Sequence, residues 1–168
     1  MEGNRKSTLR QQLEHSLQGR VCFIGVGNPG YGDDAFGVHL AQALFEAGVP
    51  DAVVAGTSPD RWIGTALQRD FDHIVFLDAV EFGAAAGSVV FLDSEEIAQR
   101  HPQISTHKIS LGTLAKVVES NGATRAWLLG VQPESLKEGR AITPAVRKSM
   151  EALLQLLLQR SRQVVTAC

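Results

Sequence analysis

Apolar and polar positions follow two different periods along this chain. Five short apolar runs are predicted to be strands, and VCFIGV at Val21–Val26 is so nearly apolar throughout that it should be covered on both faces. Between the runs, apolar residues recur every three or four positions, as on one face of a helix. The predicted strands are 21–26, 52–55, 72–78, 88–92 and 126–131, and the predicted helices are 7–18, 33–47, 60–69, 95–99, 107–119 and one that opens at Thr143 and Pro144.

Strands that alternate with helices predict an α/β sandwich with a mostly parallel sheet and helices on both faces. The chain has 168 residues, of which 44% are hydrophobic and 20% charged, as in an ordinary globular domain. We expect residues 1–20 to form an N-terminal helical extension, with Ser7 as the N-cap of its helix. Residues 21–168 are expected to form a single α/β domain.

The composition also limits the partners. The net charge of −2 carries no electrostatic signature of binding to nucleic acid or to an anionic membrane. The polar first twenty residues lack the apolar core of a secretory signal, and no apolar run approaches the roughly 18–20 residues of a membrane span. Two cysteines, Cys22 and Cys168, make no disulfide framework, and Cys22 is expected to be a buried thiol. We therefore expect a cytoplasmic protein.

The segment after the first predicted strand, GVGNPGYGDDAFGV, contains G-x-G-x-x-G at residues 25–30. This motif binds dinucleotides when a strand precedes it, a helix follows it and an acidic residue ends the next strand. The third condition fails, because Asp51 lies at the start of the next strand. Asp33 and Asp34 also occupy the helix N-terminus where a pyrophosphate would bind, and their charge would repel it. We therefore expect no organic cofactor.

Two acidic residues lie where α/β proteins place their ligand sites. Asp34 follows the first strand and Asp78 ends the third, and the carboxyl ends of parallel strands meet at one edge of a sheet. His107 reaches the same edge if the helix predicted at 107–119 starts there. Two carboxylates and an imidazole suit a divalent metal such as Zn, Ni, Co or Mn, with positions open to water or substrate. Asp33 is interpreted as a helix N-cap, and Asp34 taken alone could be a first-turn acid.

The other side chains that could carry chemistry are expected to have structural roles. The sequence contains no Gly-x-Ser-x-Gly elbow, and Cys22 lies inside a predicted strand, so a nucleophilic hydrolase is poorly supported. Three histidines have no evident partner set in the sequence and are expected on the surface or on helix faces: His39, His73 and His101. Trp62 and Trp127 are expected to be packing residues.

Five segments, in this order, resemble the hydrogenase maturation endopeptidases, which process the large subunit of nickel–iron hydrogenases. The segments are GVGNPGYGDDAFGV, VFLDAV, STHKISL, LLGVQPESL and ITPAV, and they span most of the chain from Val21 onward. The resemblance implies a three-layer α/β/α sandwich around a five-stranded mixed sheet, with 88–92 as the antiparallel strand. It also implies that Asp34, Asp78 and His107 contact a metal and form the catalytic site.

The reaction implied by the resemblance is cleavage of one peptide bond. It removes a short C-terminal extension from the hydrogenase large-subunit precursor after nickel is installed, and the three residues would recognise nickel carried by that substrate. Whether the metal activates water or a carboxylate acts as general base stays open. A non-catalytic metal-binding or chaperone module is the alternative. Three features depart from the family pattern: the segment GTSPDRWIG at 56–64, the N-terminal helix, and Asp34 in place of the Glu found in some relatives. The departure at 56–64 leaves the choice of substrate open.

Overall fold

A five-stranded mixed sheet forms the middle layer of the computed structural model, which describes residues 7–100 and 110–166. The strands are β1 (Val21–Val26), β2 (Ala52–Gly56), β3 (His73–Ala79), β4 (Val89–Asp93) and β5 (Arg125–Val131). Their spatial order is β2-β1-β3-β5-β4, with all neighbours parallel except β4, which is antiparallel to β5. The predicted mixed sheet and its antiparallel strand are therefore confirmed.

Helices cover both faces of the sheet and complete the predicted three layers. One face carries α1 (Leu9–Ser16), α2 (Phe36–Glu46) and α6 (Pro144–Thr166), and the other carries α3 (Asp60–Leu67), α4 (Ser94–Arg100) and α5 (Leu111–Glu119). Strand side chains alternate between the two cores, so that Phe23 and Val75 face the first while Ile24 and Ile74 face the second. None of the helices in the described parts of the chain is long and apolar enough to cross a bilayer.

The N-terminal helix α1 packs on the first core through Leu13 and Leu17, which are both buried. Its N-cap is Thr8, not the predicted Ser7. The Thr8 hydroxyl accepts a hydrogen bond from the backbone N–H of Gln11, and the Gln11 side chain accepts one from the Thr8 N–H. This reciprocal pair is a capping box, which a Ser at position 7 cannot form with a Gln at position 11. The division into an extension, 1–20, and a domain, 21–168, stays a prediction.

His73 is buried at the start of β3, so its predicted surface position is wrong. Its Nε2 lies 2.9 Å from the carbonyl oxygen of Gln18, and its Nδ1 accepts a hydrogen bond from Trp127 Nε1–H at 3.0 Å. Because the indole can only donate, the proton of the neutral imidazole must lie on Nε2, where it donates to Gln18. Burial is the main cause that lowers the pKa of His73 below its usual value. This histidine therefore has a structural role at the amino edge of the sheet.

Candidate active site

The turn after β1 carries Asp34 to the carboxyl edge of the sheet. Gly27 adopts φ +133°, and an added Cβ there would lie 1.9 Å from the Asp34 carbonyl oxygen, so this position requires glycine. The half-buried Asp34 accepts a hydrogen bond on Oδ2 from the backbone N–H of Asn28 at 2.8 Å. The N–H of Gly30 donates to the Asn28 side chain at 2.9 Å. Two backbone donors of the glycine segment are thus bonded within it, which supports a turn built around a carboxylate.

The backbone of helix α2 lies in direct contact with the backbone of the strands at the same edge. An added Cβ at Gly37 would lie 1.9 Å from the carbonyl oxygen of Leu77 in β3 and 2.4 Å from that of Val26 in β1. The first turn of α2 therefore lies directly over the carboxyl ends of β1 and β3. The predicted helix 33–47 begins as a short 3-10 turn, Gly32–Ala35, which contains Asp34 and also contacts β3.

Asp78 lies at the carboxyl end of β3, where it is only 4% exposed. Strands β1 and β3 are parallel neighbours with Gly25 opposite Leu77, so Asp78 near the end of β3 and Asp34 in the turn that follows β1 lie at the same edge of the sheet. On its other side, Asp78 pairs in register with Gly130 of β5. The structure thus brings both predicted carboxylates to one edge, while their part in catalysis or metal binding stays a prediction.

His107 lies outside the described residues, as does His101. The helix predicted for 107–119 begins at Leu111, because Ser110 has an extended backbone and its hydroxyl accepts a hydrogen bond from the Thr113 N–H. Among the described residues, no group of three or more His, Cys, Asp or Glu side chains could hold a metal ion. That observation does not cover a site that includes His107.

Asp33 is not the helix cap that its position suggested. The side chain is 0% exposed, and α2 begins after Ala35 without a side-chain cap. The Asp33 carboxylate instead accepts hydrogen bonds from the backbone N–H groups of Glu134, Ser135 and Thr143 at 2.8, 3.0 and 2.7 Å. The Thr143 hydroxyl also lies within 3.0 Å of both carboxylate oxygens. Sequence reasoning missed this role, since all four donors come from about a hundred residues away.

Gln132 is a second buried polar side chain that sequence reasoning missed. Its Oε1 accepts hydrogen bonds from the N–H groups of Phe82 and Ala84 at 2.9 and 3.3 Å, and its Nε2 donates to Glu81 at 2.5 Å. Gln132 therefore fastens the segment after β3 to the end of β5. A signal was available in the sequence, because Gln132 directly follows an apolar run in the same way as Asp78 ends one.

Trp62 and Trp127 have different surroundings. Trp127 packs as predicted, with its ring stacked on Phe91 at 4.9 Å between centroids. Trp62 is 41% exposed on α3, so its predicted packing role is wrong. Together with residues of the same helix it lines an open cleft of about 410 Å³ beside the end of β2. Trp62 lies in the 56–64 segment, which is expected to depart from the family pattern.

Cys22 provides no nucleophile for this site. It is a buried free thiol in β1, and burial, with a smaller contribution from the charge of Asp51, raises its pKa to about 12. The thiolate is the reactive form of cysteine, so Cys22 is inert at neutral pH.

The family model HycI, described as hydrogenase maturation protease, matches residues 38–160. The matched region includes positions 78 and 107 and begins after Asp34. The chain is 32% identical over 152 residues to the hydrogenase 2 maturation protease of Escherichia coli K12, covering 86% of this chain and 92% of that protein. It is 26% identical over 145 residues to a putative hydrogenase maturation protease of Methanocaldococcus jannaschii, covering 80% of this chain and 94% of that protein.

Solved structures give the same result for the fold. The NiFe hydrogenase maturation protease HycI from Thermococcus kodakarensis KOD1 superposes with a TM-score of 0.79 at 29% identity, covering 88% of this chain and 97% of that one. The hydrogenase maturating endopeptidase HybD from E. coli superposes with a TM-score of 0.69 at 29% identity, covering 87% and 94%. The similarity therefore extends over nearly the full length of both solved chains.

Proposed function

This chain belongs to the hydrogenase maturation protease family, and on that premise we propose that it removes the C-terminal extension of a nickel–iron hydrogenase large-subunit precursor after nickel insertion. The observation that carries the proposal is the arrival of Asp34 and Asp78 at one edge of the sheet, from adjacent parallel strands. The partner is the precursor protein, and the proposed location is the cytoplasm. The family supports a hydrolase of the endopeptidase type.

We propose further that Asp34, Asp78 and His107 recognise nickel that the precursor carries. Two carboxylate oxygens and an imidazole nitrogen are a donor set that nickel accepts. The hydrogen bond from the Asn28 N–H fixes the orientation of the Asp34 carboxylate, as is usual for carboxylates that ligate metals. Since the nickel arrives with the substrate, the protein needs no resident metal of its own.

The chemical step left to this chain is activation of water in an aspartic-type reaction. A carboxylate takes a proton from the water that attacks the scissile carbonyl carbon, and a proton must then reach the leaving amine. Asp34 and Asp78 are the two candidates for this base, in addition to their proposed part in recognising nickel. The raised pKa of Cys22 leaves no competing thiolate on β1.

The mass of the intact precursor tests this function. Nickel-loaded precursor is incubated with the purified protein, and mass spectrometry is expected to show the loss of one C-terminal fragment. Mature large subunit, which lacks the extension, serves as control and keeps its mass. A precursor that binds the protein in gel filtration but keeps its mass would instead support a non-catalytic metal-binding or chaperone module.

A further inference from the structure

Asp33 connects two loops that form the carboxyl edge of the sheet around Asp34. Its carboxylate binds the loop 132–143, between β5 and α6, through three backbone N–H groups and the Thr143 hydroxyl. The backbones of the two loops are joined as well. The Asp33 N–H donates to the Ser135 carbonyl at 2.9 Å, the Gly32 N–H to Arg140 at 3.1 Å, and the Gly139 N–H to Gly30 at 2.8 Å. We call the bonds between the Asp33 carboxylate and the loop 132–143 the clasp.

The clasp needs a carboxylate and not a neutral side chain. An ionised carboxylate only accepts hydrogen bonds, and every group that faces Asp33 in the clasp can donate. A fully buried charge is tolerated when several such bonds compensate for the water it has lost. An asparagine would turn an amide N–H₂ toward backbone N–H donors and leave part of the clasp unbonded.

The clasp is relevant to function because Asp34 is the residue next to Asp33. Asp34 follows in the same 3-10 turn, and its carboxylate is held by the Asn28 N–H at 2.8 Å. On one side the turn contacts β3, and on the other it is held by the clasp together with the backbone hydrogen bonds to the loop 132–143. A weaker clasp would therefore let Asp34 move relative to Asp78.

We propose that Asp33 and Thr143 are positioning residues that hold Asp34 in the geometry for precursor cleavage. The inference rests on the proposed function, because it takes Asp34 as part of the reacting site. Thr143→Val tests it, since this change removes the hydroxyl donor and retains the backbone N–H. Thr143→Ser keeps the hydroxyl and serves as the conservative rescue variant. Thr124→Val is the matched control, because the buried Thr124 hydroxyl donates to the Phe71 carbonyl at 2.9 Å near the opposite edge of the sheet.

Two readouts separate positioning from stability. Amide hydrogen exchange of Asn28, measured by NMR, reports whether Asp34 still holds that N–H. The kcat/KM for the nickel-loaded precursor, measured well below Tm, reports the reaction. We expect Thr143→Val to accelerate exchange at Asn28 and to lower kcat/KM about tenfold, as is usual when the support of a site residue is lost. Thr143→Ser restores both values, and Thr124→Val lowers Tm without changing either.

If Thr143→Val lowers Tm but matches Thr124→Val in Asn28 exchange and in kcat/KM, positioning is overturned and the clasp is only structural. Failure of the wild-type protein to cleave any precursor would contradict the proposed function instead. In that case the Asn28 exchange rates still decide whether the clasp positions Asp34, because they do not depend on the reaction.

Discussion

Asp78→Asn is expected to abolish precursor cleavage while the protein keeps its fold. Asparagine has nearly the shape of aspartate and fits the buried position at the end of β3, but it has no negative charge. The change therefore removes both a metal ligand of the proposed set and a possible general base. Loss of a positioned base alone lowers a rate by roughly 10²–10⁴-fold, so we expect a decrease in kcat/KM of at least about 100-fold.

Asp93→Asn is the matched control for this prediction. Asp93 also ends a strand, but β4 is antiparallel, so its end lies at the opposite edge of the sheet, opposite Trp127 of β5. Its carboxylate accepts a hydrogen bond from the Glu96 N–H at the start of α4, and asparagine is an equally good helix cap. Asp93→Asn is thus expected to cleave at the wild-type rate. An Asp78→Asn protein that does the same would remove Asp78 from the site.

The second large effect concerns stability. Gly37→Ala is expected to reduce the free energy of unfolding by at least about 3 kcal/mol, the upper end of typical overpacking costs. The new Cβ would lie 1.9 and 2.4 Å from the Leu77 and Val26 carbonyl oxygens, which are backbone atoms of two central strands and cannot rotate away. A typical domain has only about 5–15 kcal/mol of stability, so much of it would be lost.

Gly64→Ala is the control for Gly37→Ala, and the free energies of unfolding of the two variants are compared by urea denaturation. Gly64 lies on the exposed side of α3, and an added Cβ there meets no atom within 4 Å. Alanine is favoured over glycine inside a helix, so this variant should gain about 0.5–1 kcal/mol. Equal unfolding midpoints for the two variants would show that α2 does not depend on contact with the strand ends, and the account of how Asp34 is placed would be wrong.

The central strands β1 and β3 were predictable from the sequence because burial on both faces leaves a continuous apolar run. All six residues of β1 are buried, and the prediction for 21–26 matches it residue for residue. The order β2-β1-β3-β5-β4 does not follow from any periodicity, since pairing depends on packing between distant segments. The prediction for Asp34 and Asp78 nevertheless needed only parallel neighbours, and β1 and β3 are such a pair.

Local patterns could not separate Asp33 from Asp34. The two are adjacent acids at the start of one predicted helix, and what distinguishes them is the contact of Asp33 with Thr143, 110 positions away. His73 shows the same limit, because Trp127, which donates a hydrogen bond to it, is 54 positions away. Each is a polar residue whose partners come from distant parts of the chain. Sequence reasoning therefore brought Asp34 and Asp78 to one edge of the sheet, as the structure does, but it misassigned Asp33, which binds the loop 132–143.

Under the proposed function, nickel in the precursor decides whether the precursor is cleaved. One preparation of precursor is divided, nickel is inserted into one half, and the initial rate at which each half loses its C-terminal extension is measured by intact-mass spectrometry under identical conditions. We expect the loaded half to be cleaved at least about 100-fold faster, since a metal can stabilise developing charge by several kcal/mol. Equal rates for the two halves would contradict this proposal.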